Sequence, residues 1–405
     1  MARMKKFYLC ALFVSLIWGN AMLWAQKIET VDGVRVVHNE KGGQWGKTPK
    51  VALELVRKIG DIDSDDENLS FNQPGDVAVD AKGNIYILDS ANARIQKFGA
   101  DGKFVASIGR KGQGPGEYMM PDSLDFDASG RLIVYDPFQL RIQAFTGDGK
   151  ETKITTLQGM RVSHLRCWTA GAYLTGGPLF AMPQRKGEEA KQPKPTLFKS
   201  FGPDGKLSRE FGSLVDLGDP ATSSMGNGVV FAVDGQGGVA AAFTLQNRLE
   251  KYTADGKLLW WADRPMNFST EVKKKGKMES SEGGFMISGP DMNDCAVAVA
   301  ADKKGRIWIV TYSRQLKKEE QIQRNMMSSG GPAGGISSIK SEVKGNTDLR
   351  KTDALKLEVF TPDGILLGEI PLTHFVDHAR ICGDYLFLID ASRGATVYQY
   401  KIVEK

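Results

Sequence analysis

The chain has 405 residues, 41% hydrophobic and 25% charged, proportions that exclude a wholly disordered protein but leave open one large all-β domain or several smaller ones. Its 46 glycines against 16 prolines point to many tight turns rather than a fibrous design. The formal charge of +5 gives no reason to expect nucleic acid or an anionic membrane as partner: Arg3, Lys5 and Lys6 fall in an expected export segment, and without these three the 53 basic residues become 50, against 48 acidic.

Residues 1–25 have the parts of a secretory signal: the charged start, the apolar stretch Phe7–Trp18, and Leu23-Trp24-Ala25 before Gln26. A retained anchor is the competing reading, since Phe7–Ala25 is only just short of the roughly 20 residues of a spanning helix. Gly19 and Asn20 interrupt it, so cleavage and an exported protein, periplasmic or extracellular, are expected, with no later membrane span. Residues 26–50 follow as an extension. Cys167, Cys295 and Cys382 then remain, an odd count that argues against a disulfide framework and for small buried side chains on strands.

Val51–Ile59 (VALELVRKI) reads as a strand. After it, two turn patterns recur. The first is Asp-x-x-Gly between alternating strands, at Asp80…Gly83, Asp127…Gly130, Asp234…Gly237 and Asp302…Gly305. The second is an aromatic followed by Asp-Gly, at Phe98, Phe145, Phe201, Tyr252 and Phe360. Both are hairpin chemistry: glycine accepts a positive φ and aspartate bonds the turn's own backbone. Nine ordered copies indicate a repeat.

The aromatics are spaced by 47, 56, 51 and 108 residues. The long interval contains two low-complexity insertions, 271–292 and 314–354, without which it shrinks to 45; removing the insertion 183–196 brings 56 to 42. A unit of 40 to 50 residues with four short strands has the size of a propeller blade. Units begin near residues 74, 121, 162, 228, 295 and 378. The last has only three strands, so Val51–Ile59 is expected to supply its fourth and close the ring. The predicted fold is an all-β, six-bladed β-propeller of four-stranded antiparallel blades, a single domain over 51–405, and a monomer is expected.

The segment 71–103 (FNQPGDVAVDAKGNIYILDSANARIQKFGADGK) resembles an NHL repeat, with its Pro before the inner strand, its VD-x-x-G and its N-x-R-I-Q-x-F. The segment 121–150 is similar, and 228–257 keeps NRLEKY. The resemblance implies a six-bladed propeller of the exported bacterial kind, and a role in binding proteins, nucleic acids or small ligands without chemistry.

Antiparallel strands put all the short Asp-x-x-Gly and Asp-Gly turns on one face of the disc. Every long connection, including 61–74, 109–121 and the three insertions, falls on the other, which is therefore expected to be the working surface. Arg314–Met327 has good helix formers and is predicted as a short helix.

Residues at the starts of the innermost strands should line the channel mouth on that face: Asp76, Asp122, His164, Asn227, Asp294 and His378. Such a ring could hold Ca²⁺ or Zn²⁺, although no closely spaced ligand pair marks a metal site, and polar residues are needed to line a wet channel in any case. DIDSDDE (61–67) lacks the Gly and Glu of a calcium loop. Asp89/Arg94 and Asp136/Arg141 are predicted as ion pairs bracing loops. RKGQGPGEY (110–118) lacks the Lys-Ser/Thr of a phosphate loop.

No nucleophile–base arrangement can be placed. The sequence therefore favours a binder of a protein, glycan or small ligand in the bacterial envelope, without cofactor. The alternative is a metal-dependent lyase or hydrolase at the channel mouth.

Overall fold

The computed structural model describes residues 27–146, 149–157, 162–177, 195–281, 284–330 and 336–405. The expected export segment and most of the 183–196 insertion lie outside them. Within them, six antiparallel four-stranded units follow one another around a ring, as the repeat predicts.

The first blade is Pro74–Val79, Ile85–Asp89, Arg94–Phe98 and Phe104–Ile108, and the second begins at Ser123–Phe126. The innermost strands of the next four are Leu165–Cys167, Val229–Val233, Ala296–Ala301 and His378–Cys382. The sixth blade is completed by Val51–Ile59, antiparallel to Thr396–Glu404, with Lys58 opposite Tyr398 and Val51 opposite Glu404.

Repeated local chemistry produces repeated local geometry. In each Asp-x-x-Gly turn the glycine adopts φ of +74° to +82°, and its amide donates to the aspartate carbonyl at 2.9 to 3.0 Å. Each of the five aromatics of the second pattern sits at a β-bulge, with the pairing shifting register at Phe98, Phe145, Phe201, Tyr252 and Phe360.

The apolar side chains gather where neighbouring blades meet. Blades 1 and 2, for example, share Tyr86, Leu88, Ile95, Tyr118, Leu124, Val134 and Phe145, all fully buried. A blade thus buries both faces only when flanked on both sides, which is why the sheets need a closed ring.

Three features depart from the sequence reading. Residues 27–38, for which the sequence suggests no element, form a hairpin whose second strand, Val34–His38, pairs in parallel with the outer strand of blade 4, Leu258–Asp263. Residues 44 and 45 then bond the outer strand of blade 5.

The predicted helix at 314–327 is instead a 3₁₀ turn, Lys318–Glu320, leading into a long hairpin, Ile322–Gly330 with Ile336–Gly345. Arg314 holds Glu320 from outside the turn rather than starting a helix. Arg141 donates to the carbonyls of Gln113 and Gly114, while Asp136 accepts the amides of Met119, Met120, Phe138 and Gln139, so these two form no ion pair. Asp89 and Arg94 do pair, at 2.8 Å. Among the described residues, no helix is long and apolar enough to cross a membrane.

Candidate functional site at the channel mouth

The innermost strands of blades 1, 2, 3 and 6 carry a charged cluster into the channel. Asp76 lies 2.6 Å from Arg166 and 3.8 Å from Arg380, and Arg380 lies 3.0 Å from Asp125. Burial alone would raise the Asp76 carboxyl, but the two guanidinium groups and the Leu124 amide hold it below the ordinary carboxylate range. Arg166, Arg380 and Asp125 also line a cavity of about 250 Å³ on the turn-bearing side.

On the loop-bearing side is a cavity of about 420 Å³. Three predicted residues line it: Asp122, His164 and His378. The imidazole rings of His164 and His378 lie 5.8 Å apart, centre to centre, tilted by 57°. His164 has a left-handed backbone, φ +52°, sparsely populated by residues other than glycine. Its amide donates to Asp122 Oδ2 at 3.2 Å, and the Ser123 hydroxyl donates to Oδ1 at 2.5 Å.

Burial raises the Asp122 carboxyl despite these donors. Burial, with His164 beside it, pushes the His378 imidazole down to about 4, so at neutral pH it is an uncharged donor and acceptor. Pro121, Pro137, Phe138 and Val162 give the cavity apolar walls, and the buried Ser90 hydroxyl, also in its lining, has no partner among the described residues.

The blade 5 hairpin reaches over to this mouth. Arg324 bonds the Ser392 hydroxyl and lies 3.6 Å from Asp377, both of blade 6, and lines the cavity itself. Ser341 on the returning strand donates to Gln73, ahead of blade 1, at 2.8 Å. Neither Arg324 nor the Arg166/Arg380 pair was singled out from sequence. For the pair there was a signal: an Arg follows two residues after His164 and again after His378.

The other predicted mouth residues lie elsewhere. Asn227 is fully buried and caps a short helix, Pro220–Gly226, that precedes blade 4. Its amide nitrogen donates to the Val215 and Ser223 carbonyls, and its oxygen accepts from the Val215 amide. Asp294 is on the rim of a second cavity, and its backbone clasps the Gln315 side chain. Asp76 belongs to the channel cluster below the mouth.

Two of the three thiols flank this region. Burial holds Cys382 and Cys295 up to about 11 and Cys167 higher still, so all three stay protonated. Among the described residues, no three His, Cys, Asp or Glu side chains gather closely enough to hold a metal ion. The acidic turn 61–67 is organised by its own aspartates: Asp61 accepts the Asp63 amide and Asp66 that of Asn68.

A family model described as a six-bladed β-propeller, DUF5128, matches residues 65–164. A search of the curated proteins finds no match. Among solved structures, a DUF4221 family member from Bacteroides vulgatus is similar over 89% of this chain and 100% of its own, with 10% identity and a TM-score of 0.52. Virginiamycin B lyase from Staphylococcus aureus is 11% identical over 87% of this chain and 99% of its own, with a TM-score of 0.43. A gluconolactonase from Xanthomonas campestris is 13% identical over 87% and 99%, with a TM-score of 0.40. These likenesses concern the fold, and the protein is a six-bladed β-propeller.

Proposed function

We propose that the protein is an exported binder that takes a small ligand, or the tip of a larger one, at the channel mouth on its loop-bearing face. The observation that carries this reading is convergence. Residues from blades 1, 2, 3 and 6, with Arg324 from blade 5, meet in one cavity that has apolar walls, two imidazoles and a hydroxyl without a partner among the described residues. The Asp76–Arg166–Arg380–Asp125 cluster lies beneath it, so a ligand enters from the loop-bearing side and its polar edge meets His164, His378 and Arg324.

The alternative, a metal-dependent lyase or hydrolase, asks Asp122, His164 and His378 to act as ligands. The Asp122 carboxylate is already taken by Ser123 and the His164 amide, which favours the binder.

A thermal-shift screen of sugars, lactones and short peptides tests this. A hit whose Kd weakens at least about tenfold in His164→Ala and His378→Ala, with folding intact, supports it. A panel without hits, or hits indifferent to both variants, overturns it. Stabilisation by Zn²⁺ or Ca²⁺ that His378→Ala abolishes transfers the site to the metal-dependent reading.

A further inference from the structure

The second cavity, about 820 Å³, lies under the same hairpin between blades 5 and 6. Arg393 in its lining is 3% exposed, and its guanidinium sits 3.5 Å from the centre of the Phe375 ring. Among the described residues this guanidinium makes one hydrogen bond, from Nη2 to the Glu320 carbonyl, and its Nε has no acceptor.

The nearby carboxylates are committed to other donors. Asp390 accepts the amides of Arg393 and Gly394 at 3.0 and 2.9 Å. Asp377 takes the Ala391 and Ser392 amides and the Ser392 hydroxyl, and Glu320 is gripped by Arg314. A buried guanidinium with unused donors is costly, and native structures usually supply the missing acceptor.

The rest of the cavity suggests what that acceptor belongs to. Val297, Leu316, Ile322, Leu355 and Val376 make an apolar wall, and the exposed Lys318 and Lys344 stand at the edge. Three cations thus face two anions, Asp294 and Asp377. A guanidinium presents parallel N–H groups that match the two oxygens of a carboxylate.

We propose that this cavity is a second binding site, for a carboxylate with an apolar body. Its oxygens sit on Arg393 and its body lies against the Val297–Leu355 wall. The proposal does not depend on the channel-mouth reading, because the two cavities share no lining residue.

Calorimetric titration of the full chain with decanoate and benzoate is the test, with acetate, decanol and inorganic phosphate as comparisons. Decanoate or benzoate should bind saturably, and acetate, decanol and phosphate at least about tenfold more weakly. Arg393→Lys, which keeps the charge and loses the fork, should weaken binding at least about tenfold. Arg393 is buried, so the exposed pair Lys318→Glu/Lys344→Glu gives a second readout that folding cannot confuse, with a loss of about threefold or more expected. His164→Ala, at the other cavity, should leave decanoate and benzoate binding at this one unchanged. No binding, equal binding of decanol, or a loss in His164→Ala without one in Arg393→Lys would each overturn the assignment.

Discussion

The two faces of the ring are built by different means. On the turn-bearing face the Asp-x-x-Gly aspartates bond within their own blades: Asp80 accepts the amides of Lys82 and Asn84, Asp127 those of Ser129 and Arg131, Asp302 those of Lys304 and Arg306, and Asp234 those of Gln236 and Gly238 with the Lys251 ammonium. In the channel and at its loop-bearing mouth the polar groups reach across the molecule instead. Asp76 of blade 1 binds Arg166 of blade 3, Asp122 of blade 2 binds the His164 amide, and Arg324 of blade 5 binds blade 6. One face repeats because each turn satisfies itself. The other is unique because its polar groups depend on partners from other blades, and that is where a ligand can compete for them.

This contrast can be broken most sharply at Asp76. Asp76→Asn leaves the largely buried Arg166 without its carboxylate and Arg380 with Asp125 alone, and unfolding in urea should show a loss of about 3–5 kcal/mol. The same contribution has a pH signature. A carboxyl held low in the folded state stabilises at pH above its unfolded value of 3.8 and loses this as pH falls toward its folded value, so acid unfolding of the wild type should be steep there and flatter in the variant. A loss under about 1 kcal/mol would mean that the cross-blade cluster does not hold the inner strands together.

The turn face should respond to smaller, local changes. Gly130 and Gly256 share a left-handed backbone, φ +78° and +84°, but a Cβ at Gly130 meets nothing within 4 Å, while at Gly256 it would come within 2.8 Å of the Phe211 ring. Gly130→Ala should cost about 1–2 kcal/mol and Gly256→Ala more, measured as unfolding midpoints. Equal costs would show that the backbone alone decides.

The smallest effect concerns the hairpin added to blade 4. His38 touches Asp263 at 2.5 Å and Glu29 at 3.1 Å, and these two carboxylates raise its imidazole above 6.5. Such a group stabilises fully below its unfolded value and loses this as pH rises through its folded value. The three side chains are 29 to 40% exposed, so the contribution should be at most about 1 kcal/mol, lost on the alkaline side of 6.5. His38→Ala should remove that slope from a plot of melting temperature against pH, and an unchanged slope would assign it elsewhere.

The same contrast explains what could be read from the chain. Turn glycines and bulge aromatics are local requirements, and they specified the six units and the closing strand. Counting back from each inner strand picks out one residue per blade, and of these Asp122, His164 and His378 line one cavity. Asn227 instead caps the helix that precedes its strand, and Asp294, which follows a long insertion, lines the other cavity. Arg324 was illegible because its helix-forming neighbours suggested a helix, whereas it lies on a strand of a long hairpin that carries it to blade 6. The N-terminal hairpin was legible in principle: Asp32-Gly33 lies between alternating apolar residues, and both adopt positive φ.

The seam between Val51–Ile59 and Thr396–Glu404 joins segments at opposite ends of the described chain. During synthesis the early strand must wait with an unpaired edge until its partner emerges. Holdase chaperones should therefore recognise the incomplete ring by this edge, and a circular permutant that places the two strands side by side should fold with less help.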